Sequence, residues 1–380
     1  MLVVLLVACT TPLEVLTTRD AGLDGGSDGG SAPGAVFAMA AGDAHVCVIR
    51  GGALWCWGAN DDGQLGFGAT SPALVPVALD AGAAWVQVSA GEVHTCALDS
   101  AGAAWCWGGN GAGQLGLSDT QPRWVPTRVP LPVAVSQLRC GLDFTCAVGV
   151  DASLWCWGAN FEGQLGRADD FPGQDQPTPA PVTVTADAGW VQVAAGQGHA
   201  CAVRVDGSLW CWGRNSRSTL GLGDDAGVQY RSPQRVGAST GWRTVDVNQE
   251  FSCALSSTGA LWCFGALPLA SSITTSPTLV LPGPWASVRS NVFHACALSI
   301  GGEPTCWGRN LEGQLGLGDR VDRPTPLVVP GAPVTDLAVG RFFTCQRRAN
   351  GTVLCTGQNG RGQLGVGDIV DRDAWVLVGF

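Results

Sequence analysis

His94-Thr-Cys-Ala-Leu98, Ser100-Ala-Gly102, Ala104-Trp-Cys-Trp107: this stretch decides the fold. Two extended runs flank a three-residue turn, which makes a β-hairpin. With the loop centred on Ala101, Cys96 falls opposite Cys106. Such a loop ends in a residue at positive φ, which favours glycine, and Gly102 stands there. The same arrangement occurs seven times, pairing Cys47 with Cys56, Cys96 with Cys106, Cys146 with Cys156, Cys201 with Cys211, Cys253 with Cys263, Cys296 with Cys306 and Cys345 with Cys355. Gly207, Gly259, Gly302 and Gly351 fill the slot of Gly102, and Ala152 alone departs. The first repeat is one residue shorter and carries Gly51-Gly52, which suits a two-residue turn and again sets its cysteines opposite each other. Loop length and cysteine spacing change together, so the pairs read as cross-strand disulfides. Free buried thiols are the weaker alternative. Zinc sites need close spacings with two pairs together, and here each pair sits alone on its hairpin.

Working outward, each repeat supplies four extended segments. A short strand such as Trp85-Val-Gln-Val88 precedes the hairpin, and a Pro/Val segment such as Val75-Pro-Val-Ala-Leu79 follows it after a Gly-rich turn. The hairpin strands are apolar on both faces, as strands packed between two neighbouring sheets must be. Trp55, Trp57, Trp105, Trp107, Trp155, Trp157, Trp210 and Trp212 recur too regularly for a sugar-stacking platform and read as core. The expectation is an all-β, seven-bladed β-propeller of four-stranded antiparallel blades over residues 36–380, with one disulfide per blade. Its phase, from an inner strand near Val36 to Trp375-Val-Leu-Val378, is compatible with seven sequence-contiguous blades. Cys140 is left over. Its slot, six before the first cysteine, elsewhere holds Ala41, Ala90, Ala195, Val247, Ser290 and Val339, so it reads as a small core residue.

Val88-Ser-Ala-Gly-Glu-Val-His-Thr-Cys-Ala-Leu98 and the turn Asn60-Asp-Asp-Gly-Gln-Leu-Gly66 resemble the repeat of the regulator of chromosome condensation family. The turn recurs at 110–116, 160–166, 310–316 and 359–365. The fourth repeat departs, as Asn215-Ser-Arg-Ser-Thr-Leu-Gly221, and the fifth loses the turn, reading Ala266-Leu-Pro-Leu-Ala-Ser-Ser272. The resemblance implies a seven-bladed propeller. The family's nuclear founders promote guanine-nucleotide exchange and bind chromatin. Its secreted bacterial relatives include a β-lactamase inhibitor that binds an enzyme with one propeller face.

Composition argues about partners. The chain carries a net charge of −10 and all of its 21 basic residues are arginine, with no basic stripe. Binding to nucleic acid needs clustered positive charge, so neither nucleic acid nor an anionic membrane surface is expected. Residues 1–9 are apolar and end in Leu6-Val-Ala-Cys9, which resembles a lipobox with Cys9 as the lipidated residue, the alternative being plain secretion. Residues 10–35 form a Gly/Ser/Asp tether. Export fits the cysteines, and a lipid anchor would be the only membrane contact.

Chemistry is sparse. His45, His94, His199 and His294 all lie two before a first cysteine, where Phe144, Phe251 and Phe343 stand in the other repeats. A slot that accepts His or Phe holds a packing ring. No nucleophile elbow, zinc-protease motif or phosphate loop with lysine occurs, and no catalytic, cofactor or metal residue is assigned. Asp61-Asp62, Asp169-Asp170, Asp224-Asp225 and Asp319 lie in turns, where solvated aspartates outweigh a calcium reading. The period is broken by two long connections, 167–189 with Phe171, and 223–241 with Tyr230 beside Arg231. These three residues are the candidate binding-loop anchors. The reading is a monomeric, non-catalytic binding or scaffold module, exported and lipid-anchored or secreted, that holds a protein or glycan. An inhibitor of a secreted enzyme is the narrower version, and a lyase or glycan hydrolase acting in the central tunnel is the alternative. Nucleotide exchange ranks last.

Overall fold

The computed structural model describes residues 36–79, 82–167, 176–223 and 227–380. The leader, Cys9, the tether and Phe171 lie outside them. Among the described residues, twenty-eight strands form seven four-stranded antiparallel sheets. The first blade is β1 (Val36–Ala41), β2 (His45–Arg50), β3 (Ala53–Gly58) and β4 (Ala73–Leu79), paired in that order. The last is β25 (Asp336–Val339), β26 (Phe343–Arg347), β27 (Val353–Gly357) and β28 (Arg372–Leu377). Every blade is contiguous in sequence, so no strand is exchanged at the closure. First strands touch one another around the axis, β1 meeting β25, and fourth strands form the outer rim.

The hairpins carry the predicted register, and the seven bridges are those expected from the spacing. In the first three blades Cys47 is bonded to Cys56, Cys96 to Cys106 and Cys146 to Cys156. In the other four Cys201 is bonded to Cys211, Cys253 to Cys263, Cys296 to Cys306 and Cys345 to Cys355. Each bridge joins residues directly opposite each other in the ladder. Gly51 and Gly52 both have positive φ, at 59° and 81°, as the two-residue turn requires. Ala152 keeps the backbone of its glycine counterparts at φ 62°, a strained choice for a residue with a Cβ. Blade five keeps all four strands, with one extra register shift, between Leu261 and Trp262, where its third strand meets its fourth. Its lost turn is rebuilt with Leu269 at φ 58°, and Ser218 takes the left-handed slot in blade four at φ 55°.

Blades adhere through a repeated joint. Trp57, Trp107, Trp157 and Trp212 are fully buried, and each indole N–H donates to a glutamine carbonyl of the preceding blade at 2.9 Å. The acceptors are Gln363, Gln64, Gln114 and Gln164, so the bond of Trp57 crosses the closure. Two residues after each of these glutamines, Gly365, Gly66, Gly116 and Gly166 lie against the same indole, where a Cβ would come within 2.7–2.8 Å of Nε1. Blade seven differs. Thr356 stands where the others have Trp or Phe, and Trp375 of β28 packs over Gly316 in its stead. Phe380 completes the closure, edge-on to Trp55 and Trp57 at 5.9 Å, with the Arg50 guanidinium 5.0 Å from its ring centre.

Candidate functional site

The four histidines lie within these joints. His45, His94, His199 and His294 are fully buried, and each Nε2 meets a hydroxyl of the next blade: Thr95, Thr145, Ser252 and Thr344, at 2.8–3.0 Å. The hydroxyls of Thr95, Thr145 and Ser252 already donate to the carbonyls of Gln64, Gln114 and Thr219. Those hydroxyl protons are committed, so Nε2 of His45, His94 and His199 is the donor and Nδ1 is unprotonated. Burial pushes His45 down to about 4 and the other three to about 3. They are neutral structural rings, as the His/Phe slot implies.

The remaining sequence candidates divide. Cys140 is buried, its thiol donating to the Ser89 carbonyl at 3.4 Å, and burial raises its pKa to about 12. His94, Cys96 and Cys140 lie within 4.8 Å of one another, but Cys96 is in a disulfide and cannot act as a thiolate ligand. Asp119, Asp319 and Asp368 brace their turns. In each, one oxygen accepts from an asparagine side chain and a backbone N–H, and the other pairs with an arginine at 2.6–2.7 Å. Asp169-Asp170 and Asp224-Asp225 lie outside the described residues. Tyr230 and Arg231 open the outer strand β16 (Tyr230–Arg235). Tyr230 packs half-buried on the apolar cluster of blades four and five, and Arg231 lies along Gly163 of blade three. Gln229 beside them donates to Glu162 at 2.6 Å, so Gln229 and Arg231 both rest on blade three.

His45 pairs with Gly58, so the turn before β2 and the turn after β3 emerge at the same end of the sheet. Repeated seven times, these turns surround one mouth of the ring. The scaffold repeats there, but the residues it presents do not. Blades one to three offer Asp43, Asp62, Glu92 and Asp143. Burial raises the pKa of each of these four carboxyls, and the charges of Asp43 and Asp143 add to the shift at Glu92. Arg341 pairs with Asp43 at 3.1 Å, whereas Asp62, Glu92 and Asp143 form no ion pair among the described residues. Blades six and seven offer Phe293 and Phe342, stacked at 4.9 Å and 11°. The guanidiniums of Arg309 and Arg341 lie 5.1–6.0 Å from their ring centres. Arg214, which donates to the Gln249 carbonyl at 2.8 Å, and Arg217, paired with Glu250 at 3.2 Å, continue the cationic side. The mouth is therefore acidic on one side and aromatic and cationic on the other. The position three before each first cysteine, which holds Ala44, Val93, Asp143, Gly198, Glu250, Phe293 and Phe342, shows this variation in the sequence itself, but only the fold shows that these residues share one mouth.

The profile of the RCC1-like domain matches residues 23–269, and the regulator of chromosome condensation repeat matches 306–346 and 334–363. The chain belongs to the RCC1-like domain family. The human probable E3 ubiquitin-protein ligase HERC3 is 32% identical over 136 residues, covering 36% of this chain and 9% of that protein. The ultraviolet-B receptor UVR8 of Arabidopsis thaliana is 28% identical over 149 residues, covering 39% of this chain and 24% of the receptor. The chain thus spans a quarter or less of these relatives. Among solved structures, human WBSCR16 superposes with a TM-score of 0.77 at 20% identity, covering 86% of this chain and 95% of that one. Prp20p of Saccharomyces cerevisiae, studied for its binding to Gsp1p and histones, superposes at 0.75 and 18% identity, covering 92% and 87%. At these identities the likeness is one of fold.

Proposed function

We propose that this RCC1-like propeller is a non-catalytic binding module whose mouth holds a protein partner bearing a cationic group beside an apolar one. The observation that carries the reading is the asymmetry of the mouth: a repeated framework displays three carboxylates that form no ion pair among the described residues next to a half-buried pair of stacked phenylalanines. Clustered like charges destabilise an isolated protein, and are retained where a partner completes them. The histidines are locked in joints between blades, which supports binding over acid–base chemistry. Seven disulfides are compatible with an oxidising compartment. We place the module outside the cytoplasm, anchored through Cys9.

An affinity pull-down from the source organism's secreted and envelope fractions tests the reading. A stoichiometric protein is expected, captured less well at high salt and lost with Glu92→Gln/Asp143→Asn and with Phe293→Ala/Phe342→Ala. Capture that ignores both pairs of substitutions places the interface elsewhere. Fatty-acid labelling that persists in Cys9→Ser refutes the anchor.

A further inference from the structure

The fourth strand of each blade is a sheet edge, and six of the seven are guarded. Pro76, Pro126, Pro181, Pro233, Pro277 and Pro326 each stand immediately before the residue that pairs with the second cysteine of the blade. Proline on an edge removes an N–H that another chain could use. In blade seven that position is Trp375, one before Val376, the partner of Cys355. Since six blades lack an N–H there, the ladder does not need one, and that of Trp375 is surplus.

The exception has a cause in the packing. Blade seven has Thr356 where the joint takes an aromatic ring, and Trp375 supplies the ring from β28. Filling the joint from the outer strand displaces the guarding proline.

The opened edge is short and apolar. Val378 N–H donates to the Val353 carbonyl at 3.0 Å and Val376 pairs with Cys355, so Leu377 between them turns its N–H and C=O away from β27. Upstream, the carbonyl of Asp373 already accepts from Gly318 N–H of blade six. The usable edge is therefore Ala374-Trp-Val-Leu-Val378, uncharged and free of proline, with Leu377 64% exposed. Ile369 and Val370, just before β28, are exposed at 59% and 58%.

We infer that this edge pairs with the same edge of a second copy of the chain. An antiparallel two-fold pairing puts Val376 opposite Val376 and Trp375 opposite Leu377, so each outward N–H meets an outward carbonyl. Every pair from Ala374 to Val378 is apolar on apolar, and no charge faces another. That self-complementarity favours a second copy over an unrelated strand, and it replaces the monomer expected from the sequence.

Sedimentation of the purified protein at about 50 µM, a concentration that detects weak self-association, tests the inference. Wild type is expected to be dimeric. Leu377→Lys, which sets lysines beside the two-fold axis, and Leu377→Pro, which removes the N–H, should both be monomeric with unchanged far-UV circular dichroism. Val328→Lys, beside the guarded edge at Pro326, should leave the dimer intact. A monomeric wild type overturns the inference, as does a dimer that survives both folded Leu377 variants.

Discussion

At the residue scale, the histidine slot explains itself once its neighbour in the next blade is known. Where the slot is His, the facing residue is Thr95, Thr145, Ser252 or Thr344, and where it is Phe144, Phe251 or Phe343, the corresponding residue is Ala200, Ala295 or Val46. Polar pairs with polar and apolar with apolar because a buried N–H without an acceptor costs about 1–3 kcal/mol. Thr344→Ala should therefore destabilise the protein by about 1–3 kcal/mol. Adding His294→Phe should restore most of the loss, because Phe144 over Ala200 already satisfies that joint. Denaturant unfolding of the four members of the cycle measures it. The same pair sets a pH dependence. The folded pKa of His294, about 3, lies below its unfolded value near 6.5, so below 6.5 the unfolded chain binds more protons. The contribution is full above pH 6.5 and is lost as pH falls towards 3. The double variant should lose stability less steeply than wild type over that window, by about 1.4 kcal/mol per pH unit. Equal slopes would mean that His294 is not held neutral. The slot was legible in the sequence as structural. Its partner was not, because residues some 50 positions apart, as His45 and Thr95 are, meet only when the ring forms.

At the scale of elements, the disulfide hairpin was the most legible feature, because turn length and cysteine register are local quantities. Each bridge closes a loop of nine or ten residues, worth about 2–3 kcal/mol on the chain-entropy account. Burying one tryptophan, at roughly 200 Å² and 25 cal/mol/Å², contributes about 5 kcal/mol before entropy. The joints between blades therefore outweigh the bridges, and the bridges secure hairpins that packing already favours. Alkylation of residues 36–380, unfolded and unreduced, should modify Cys140 alone. Modification of several cysteines would show that the bridges form incompletely. The substitution of Trp375 for the missing tryptophan of blade seven was not legible, because strand-by-strand comparison registers a loss at Thr356 and an unrelated tryptophan in β28. Only the contact of Trp375 with Gly316 connects the two.

At the scale of the molecule, the sequence shows seven repeats but not what each end of the ring presents. Tyr230 and Arg231 attract notice because they interrupt the period, yet the structure places them on an outer strand against the body of blades three to five. The mouth residues keep the period and so hide within it, although their chemistry changes from blade to blade. Closure is the other property of the whole. One seam lacks a peptide connection and depends on Trp57 to Gln363, Arg341 to Asp43, Arg361 to Asp61 and the ring of Phe380. Phe380→Ala, a half-exposed residue, should cost about 1–2 kcal/mol, less than a core phenylalanine. Amide exchange should rise in the first and last blades while the middle blades stay protected. A uniform rise around the ring would mean that the seam is no weaker than its neighbours.

Because each sheet is built from consecutive strands, the stretch of gene that can be copied and the sheet it encodes have the same boundaries. Duplication of one such stretch adds a whole sheet with its own bridge, and deletion removes one without leaving half a sheet behind. The blade is thus a unit of inheritance as well as of architecture, and a gene rearranged to begin at Trp85 and return through a short linker from Phe380 to Val36 would encode the same ring.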